Sequence, residues 1–105
     1  MKESVPTLSI VIPAYNVAGY VQQAIHSVHA QTRHADEVVV VNDGSTDETA
    51  TLLANLPGIK VVTQSNHGLS AARNAGTRAA TGDFIVLLDA DDYWHPQHLE
   101  VISRV

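Results

Sequence analysis

The sequence predicts an α/β fold, an open parallel sheet of about four strands with flanking helices. Three observations carry that expectation. Short β-branched apolar runs alternate with stretches of helical periodicity, the pattern of parallel strands joined by right-handed crossovers. The runs are continuous rather than alternating, as in strands buried on both faces. Each ends in a polar, often glycine-bearing segment, and in a Rossmann-like sheet those segments share the carboxyl edge, where ligands bind.

Leu8-Ser9-Ile10-Val11-Ile12 is the first strand, ended by Pro13, which cannot donate to a ladder. After Ala14-Tyr15-Asn16 a helix is expected from Val17 to Ala30, with Val21, Ala24, Ile25 and Val28 on its buried side and Asn16 or a neighbour as cap. Val38 to Val41 is so β-rich that it should be central. Ser45-Thr46-Asp47-Glu48 matches a capping box before a helix that buries Leu52, Leu53 and Leu56, and Pro57-Gly58 stops it. Ile59 to Thr63 is a shorter strand. From Leu69 to Ala80 a stripe of Ala72, Ala75, Gly76, Ala79 and Ala80 permits close approach to a sheet, and Gly82 reads as the helix stop. Phe84 to Leu88 is the fourth strand, expected to be buried on both faces. Trp94-His95-Pro96 starts a last helix in which Leu99, Ile102 and Val105 keep phase, so a fragment of a longer protein is expected.

The 105 residues suit one domain, with 45% hydrophobic residues and a formal charge of -5. That charge, without a basic tract, argues against recognition of nucleic acid through its phosphates. No cysteine means no disulfide and no thiolate metal site, and no apolar run approaches the roughly 20 residues of a membrane span. With no signal-peptide pattern, a cytoplasmic setting is expected, compatible with a parent enzyme at the inner face of a membrane. The six histidines share no spacing and read mostly as surface residues.

The densest chemistry is Asp89-Ala90-Asp91-Asp92, where the fourth apolar run stops at three carboxylates. Such crowding is relieved by a hard divalent cation, although acids also solubilise strand ends. Tyr93 and Trp94 follow directly, so solvation explains the cluster poorly. An EF-hand fails, because Trp94 stands where its loop needs glycine. Asp43 is either a turn residue capping the next helix or a carboxylate that accepts from a ligand N–H. Tyr15 is either a loop aromatic or a stacking platform for a nucleobase. Arg73, on an otherwise small and apolar helix, either meets a phosphate or an acid of a ligand site or forms a plain surface salt bridge.

Four segments, Ser9 to Asn16, Glu37 to Asp47, Gly68 to Gly76 and Phe84 to Asp92, together resemble the inverting family-2 glycosyltransferases of the GT-A fold. The resemblance covers nearly the whole chain. It implies one nucleotide-sugar-binding domain over residues 1–105, incomplete at its carboxyl end, and a nucleotide-sugar donor, a UDP-sugar first, with GDP- and dTDP-sugars left open. By the same resemblance Pro13, Ala14 and Tyr15 line the base pocket, Asp43 holds the base, Asp89 contacts the ribose, and Asp91 with Asp89 ligates Mn²⁺ or Mg²⁺. Asn16, Arg73 and Ala90 complete the implied binding set. The saccharide or lipid-linked acceptor and the general base belong to a downstream half that this chain does not include.

Two rivals are kept. A haloacid-dehalogenase-type phosphatase also sets a D-x-D after a strand, but it wants a small β-branched or hydroxyl residue where Tyr93 stands and an early nucleophile strand. A catalytically silent assembly domain is the other. The uncovered sheet flank of a fragment also predicts a homo-oligomer formed through it.

Overall fold

A computed structural model describes residues 6–90 together with Pro96 and Leu99. Its elements are β1 (Leu8–Ala14), α1 (Val21–His29), β2 (Glu37–Asp43), α2 (Thr49–Ala54), β3 (Lys60–Gln64), α3 (Leu69–Ala79) and β4 (Phe84–Leu87). The four strands form one parallel sheet in the order β3-β2-β1-β4. This is the expected open α/β architecture.

The continuous apolar runs of β1 and β2 feed two cores, because successive side chains leave a strand on opposite faces. Ile10, Ile12, Val38 and Val40 pack with Val21, Ile25 and Val28 of α1 and Leu53 of α2. Val11, Val39 and Val41 pack with Ala72 and Ala75 of α3. The small-residue stripe does what its composition suggests. A Cβ on Gly76 would lie 2.3 Å from Cγ1 of Val11, so only glycine lets α3 approach this closely.

Polar contacts at the amino ends of the strands pin their register. Ser9 donates to Glu37 Oε1 at 2.8 Å, Thr81 N–H donates to the same oxygen at 2.8 Å, and Gly82 N–H donates to Ser9 Oγ at 2.8 Å. Thr7 and Asp83 exchange bonds across the β1–β4 seam. The Thr81 amide is the main influence holding the Glu37 carboxyl below its ordinary range, ahead of an opposing effect of burial.

Several expectations at element ends are corrected. β4 is not buried on both faces: Phe84, Ile85 and Leu87 are exposed, because β4 is an edge strand and α3 lies over β1 and β2. β3 is the opposite edge and begins at Lys60. α1 begins at Val21, four residues late, and Asn16 does not cap it, since its side chain is taken by the loop after β2. The capping box does not form; Glu48 is the cap position of α2, and Asp47 instead accepts the Thr49 amide at 2.9 Å. α3 stops at Ala79 through extended backbone at Ala80, before Gly82, which lies so close to Ser9 that a Cβ would be 2.5 Å from its hydroxyl. The helix expected from Trp94 falls largely outside the described residues. Of it, Leu99 is fully buried in the α1–α2 core, and its amide donates to Gln31 at 2.8 Å. Among the described residues no helix is long and apolar enough to cross a membrane, and His26, His29, His34 and His67 are exposed.

Candidate functional site

The parallel sheet brings the segments that follow β1, β2, β3 and β4 to one edge, and they meet there. Pro13 and Ala14 finish β1 inside the core, and Tyr15, the next residue, turns out with 47% exposure. It stands between two cavities. The narrower, about 190 Å³, is lined by Pro13, Ala14, Tyr15, Asp43, Asn66, Gly68, Leu69 and Ala72. The wider, about 440 Å³, shares Pro13, Tyr15 and Leu69 and adds Asn16, Val17, Tyr20, Asp89 and Ala90.

Asp43 is the last residue of β2 and is only 3% exposed, so its charge must be met by hydrogen bonds. Its Oδ1 accepts from Gln64 Nε2 at 2.9 Å and from the His67 amide at 3.0 Å, and its Oδ2 accepts from the Gly68 amide at 3.0 Å. Burial is the largest single influence on this carboxyl and pushes it up. The bonds from Gln64, His67 and Gly68 together outweigh burial and hold it below the ordinary range. The two loops touch: Asn66 Nδ2 donates to the Asp43 carbonyl at 3.2 Å, and a Cβ on Gly44, whose φ is +71°, would lie 2.6 Å from the Asn66 nitrogen. Asp43 does not cap the next helix, α2, whose cap position is Glu48; its carboxylate instead holds the loop that leads into α3, and it lines the narrower cavity.

Asn16 adopts φ 51°, a left-handed conformation that asparagine tolerates better than most residues. Its Oδ1 accepts the Thr46 amide at 2.7 Å and the Asp47 amide at 3.3 Å, while its own amide donates to Ser45 Oγ at 3.1 Å. Val17 N–H donates to Thr49 Oγ1 at 3.0 Å. The side chain is thus spent on stapling the loop after β1 to the loop after β2, which fixes Tyr15 relative to Asp43.

Arg73 meets an acid. Its Nη2 lies 3.3 Å from Asp89 Oδ1, with the two side chains 38% and 54% exposed, and its Nε is buried without a partner. At such exposure the pair contributes at most about 1 kcal/mol. Ala90 is buried and Asp89 is exposed. Asp91 and Asp92 lie outside the described residues. Among the described residues no three His, Cys, Asp or Glu side chains gather as a metal site. Asp89 lines the wider cavity, and a carboxylate, as a hard oxygen donor, suits Mn²⁺ or Mg²⁺ as one ligand of a set.

Residues 9–104 match the family described as Glycosyl transferase family 2. The chain belongs to that family. Membership displaces the phosphatase reading. Among curated relatives, an uncharacterized glycosyltransferase of Nostoc sp. is 44% identical over 103 residues, covering 93% of this chain and 32% of its own length. Among solved structures, residues 1–349 of TarS from S. aureus, in complex with UDP, superpose with a TM-score of 0.85 at 30% identity, over 93% of this chain and 31% of that one. A mannosyltransferase of Pyrobaculum calidifontis in complex with GDP-Man and Mn²⁺ gives 0.78 at 30% identity, over 87% of this chain and 29% of that one. The chain therefore spans about a third of the length of these relatives, and its four-stranded sheet with flanking helices is a GT-A-like fold.

Sequence reasoning found Pro13, Ala14, Tyr15, Asn16, Asp43, Asp89 and Ala90 of the cavity walls, and it missed others. Asn66 and Gly68 lay in a loop already marked as polar and edge-facing. Leu69 carried a usable signal, being a large apolar residue at the head of a helix and off its small-residue stripe. Tyr20 carried none that a single sequence exposes; Gln64, which begins the same polar loop, supports Asp43 from behind the cavity wall.

Proposed function

We propose that this chain is the donor-binding part of a family 2 glycosyltransferase that takes a nucleotide-diphospho-sugar, with a UDP-sugar as the donor. The base enters the narrower cavity between Tyr15 and Asp43, and the ribose and diphosphate run past Tyr15 toward Asp89. One observation carries the reading: the exposed ring of Tyr15 lines both a cavity that includes the buried carboxylate of Asp43 and a cavity that includes the exposed carboxylate of Asp89. The UDP bound by TarS and the GDP-Man with Mn²⁺ bound by the mannosyltransferase support it by similarity.

Asp89 and Asp91 would hold Mn²⁺ or Mg²⁺. When bound, the cation offsets charge that develops on the leaving diphosphate. The chain's own residues bind and orient: Tyr15 offers a ring face to the base, Asp43 accepts a base N–H, and Arg73 holds Asp89 until the donor arrives. Transfer with inversion to an acceptor hydroxyl, and the general base it needs, are assigned to the longer parent enzyme. Calorimetry with UDP tests the reading. Affinity should rise when Mn²⁺ is added, and Asp91→Ala should remove that gain; an undiminished gain would sink the role of Asp91. UDP should also raise the melting temperature, since a ligand that binds only the folded state stabilises it. A flat melting temperature would favour a silent assembly domain.

A further inference from the structure

The hydrogen bonds already made by Asp43 determine which base edge it can still serve. We propose that Gln64, with the His67 and Gly68 amides, turns Asp43 into a single acceptor and so sets the site against guanine. The proposal rests on the donor-nucleotide reading and deepens it.

An ionised carboxylate has about four lone-pair directions, two on each oxygen. Oδ1 uses both of its own, on Gln64 Nε2 at 2.9 Å and the His67 amide at 3.0 Å. Oδ2 uses one, on the Gly68 amide at 3.0 Å, and keeps one. Guanine presents two adjacent donors, N1–H and N2–H, and pairing both with a carboxylate needs one free direction on each oxygen. Oδ1 has none to give. Uracil and thymine present one imide N–H, which the remaining direction on Oδ2 can take. A guanine seated on Oδ2 alone would leave a donor desolvated and unpaired, a penalty that weakens binding about tenfold or more.

The restraint is built into the sheet. Asp43 and Gln64 are paired residues in the parallel register of β2 and β3, so the Gln64 amide is delivered by strand pairing and not by a mobile loop. A family 2 relative with a bound GDP-sugar shows that the fold itself does not forbid guanine. The discrimination belongs to these side chains and amides.

The test is calorimetric titration with UDP and with GDP, each in the same excess of Mn²⁺, of the unmodified chain, Gln64→Leu and Gln64→Ala. Thermal melting of each variant verifies that it is folded, and two variants guard against one that is not. The unmodified chain should bind UDP about tenfold or more tighter than GDP. Removing the Gln64 donor frees a direction on Oδ1, so GDP should gain affinity and the UDP-to-GDP ratio should narrow by about fivefold. Equal binding of the two nucleotides by the unmodified chain, or an unchanged ratio in folded variants, would overturn the proposal while leaving the donor site standing. Failure of both nucleotides to bind would instead overturn the donor-nucleotide reading and the proposal with it.

Discussion

Asp43 serves the fold and the site with one carboxylate. Its bonds to Gln64, His67 and Gly68 tie β2, β3 and the start of α3 together, and they keep its acidity above that of a free carboxyl. The sign of the linkage follows. A carboxyl whose folded pKa is depressed adds stability above its unfolded pKa and loses it as the pH falls through the folded value. Glu37, held low first by the Thr81 amide, acts in the same direction at the other end of β2. The urea midpoint should therefore be level near neutrality and drop below about pH 4. Asp43→Asn should start lower and lose less over the same acid range, and parallel curves for the two proteins would refute the link. At this scale the sequence was informative where a polar residue ends an apolar run: Tyr15, Asp43 and Asp89 were legible for that reason. Gln64 was legible only as the start of a polar edge loop, because its bond to Asp43 comes from a strand register that no single sequence displays. Asn16 was legible as a site neighbour, but the direction of its side chain depends on the loop at Thr46, thirty residues away.

Elements were easier to read than their ends. Period and composition located every strand and helix of the described chain, since β-branched runs and small-residue stripes report packing directly. The ends depended on tertiary partners. Ser45 reads as a capping residue, yet its hydroxyl is taken by the Asn16 amide, so α2 starts later and without a side-chain cap. Gly82 reads as a helix stop, yet its smallness is used against Ser9. The clearest element-scale prediction concerns α3. Alanine favours a helix over glycine by about 1 kcal/mol, but overpacking a core costs about 1–3 kcal/mol. At Gly76 the obstacle is Val11, a fully buried side chain of a central strand, met at 2.3 Å. Clash should win, and Gly76→Ala should lower stability in urea denaturation by on the order of 1 kcal/mol. A stabilised variant would mean that α3 can lift from the sheet.

Among the described residues the sheet has two unlike edges. β3 presents Lys60, Thr63 and Gln64 among its five residues, and an edge lysine discourages pairing with another chain. β4 is Phe84-Ile85-Val86-Leu87, with three of those side chains exposed and no charge among them. Such an edge is a template for association. We expect the chain to gain mass with concentration in light scattering, and Ile85→Lys to return it to a monomer. A monomer at all concentrations would show that the edge is protected. The α/β class was legible because alternation of strands and helices leaves few alternatives. The order β3-β2-β1-β4 was not, because the choice of the outer neighbour for β1 is a matter of long-range packing.

That order also dictates a sequence of events in synthesis. β1 emerges from the ribosome first, and β2, its partner on one side, follows after a single helix. Its partner on the other side is β4, with Leu8 facing Phe84 and Val11 facing Leu87. Until those last residues appear, one side of the most buried strand is an open ladder, and pairing across so long a span of chain is slow. The nascent domain is thus most exposed to wrong pairing along β1 just before β4 is made.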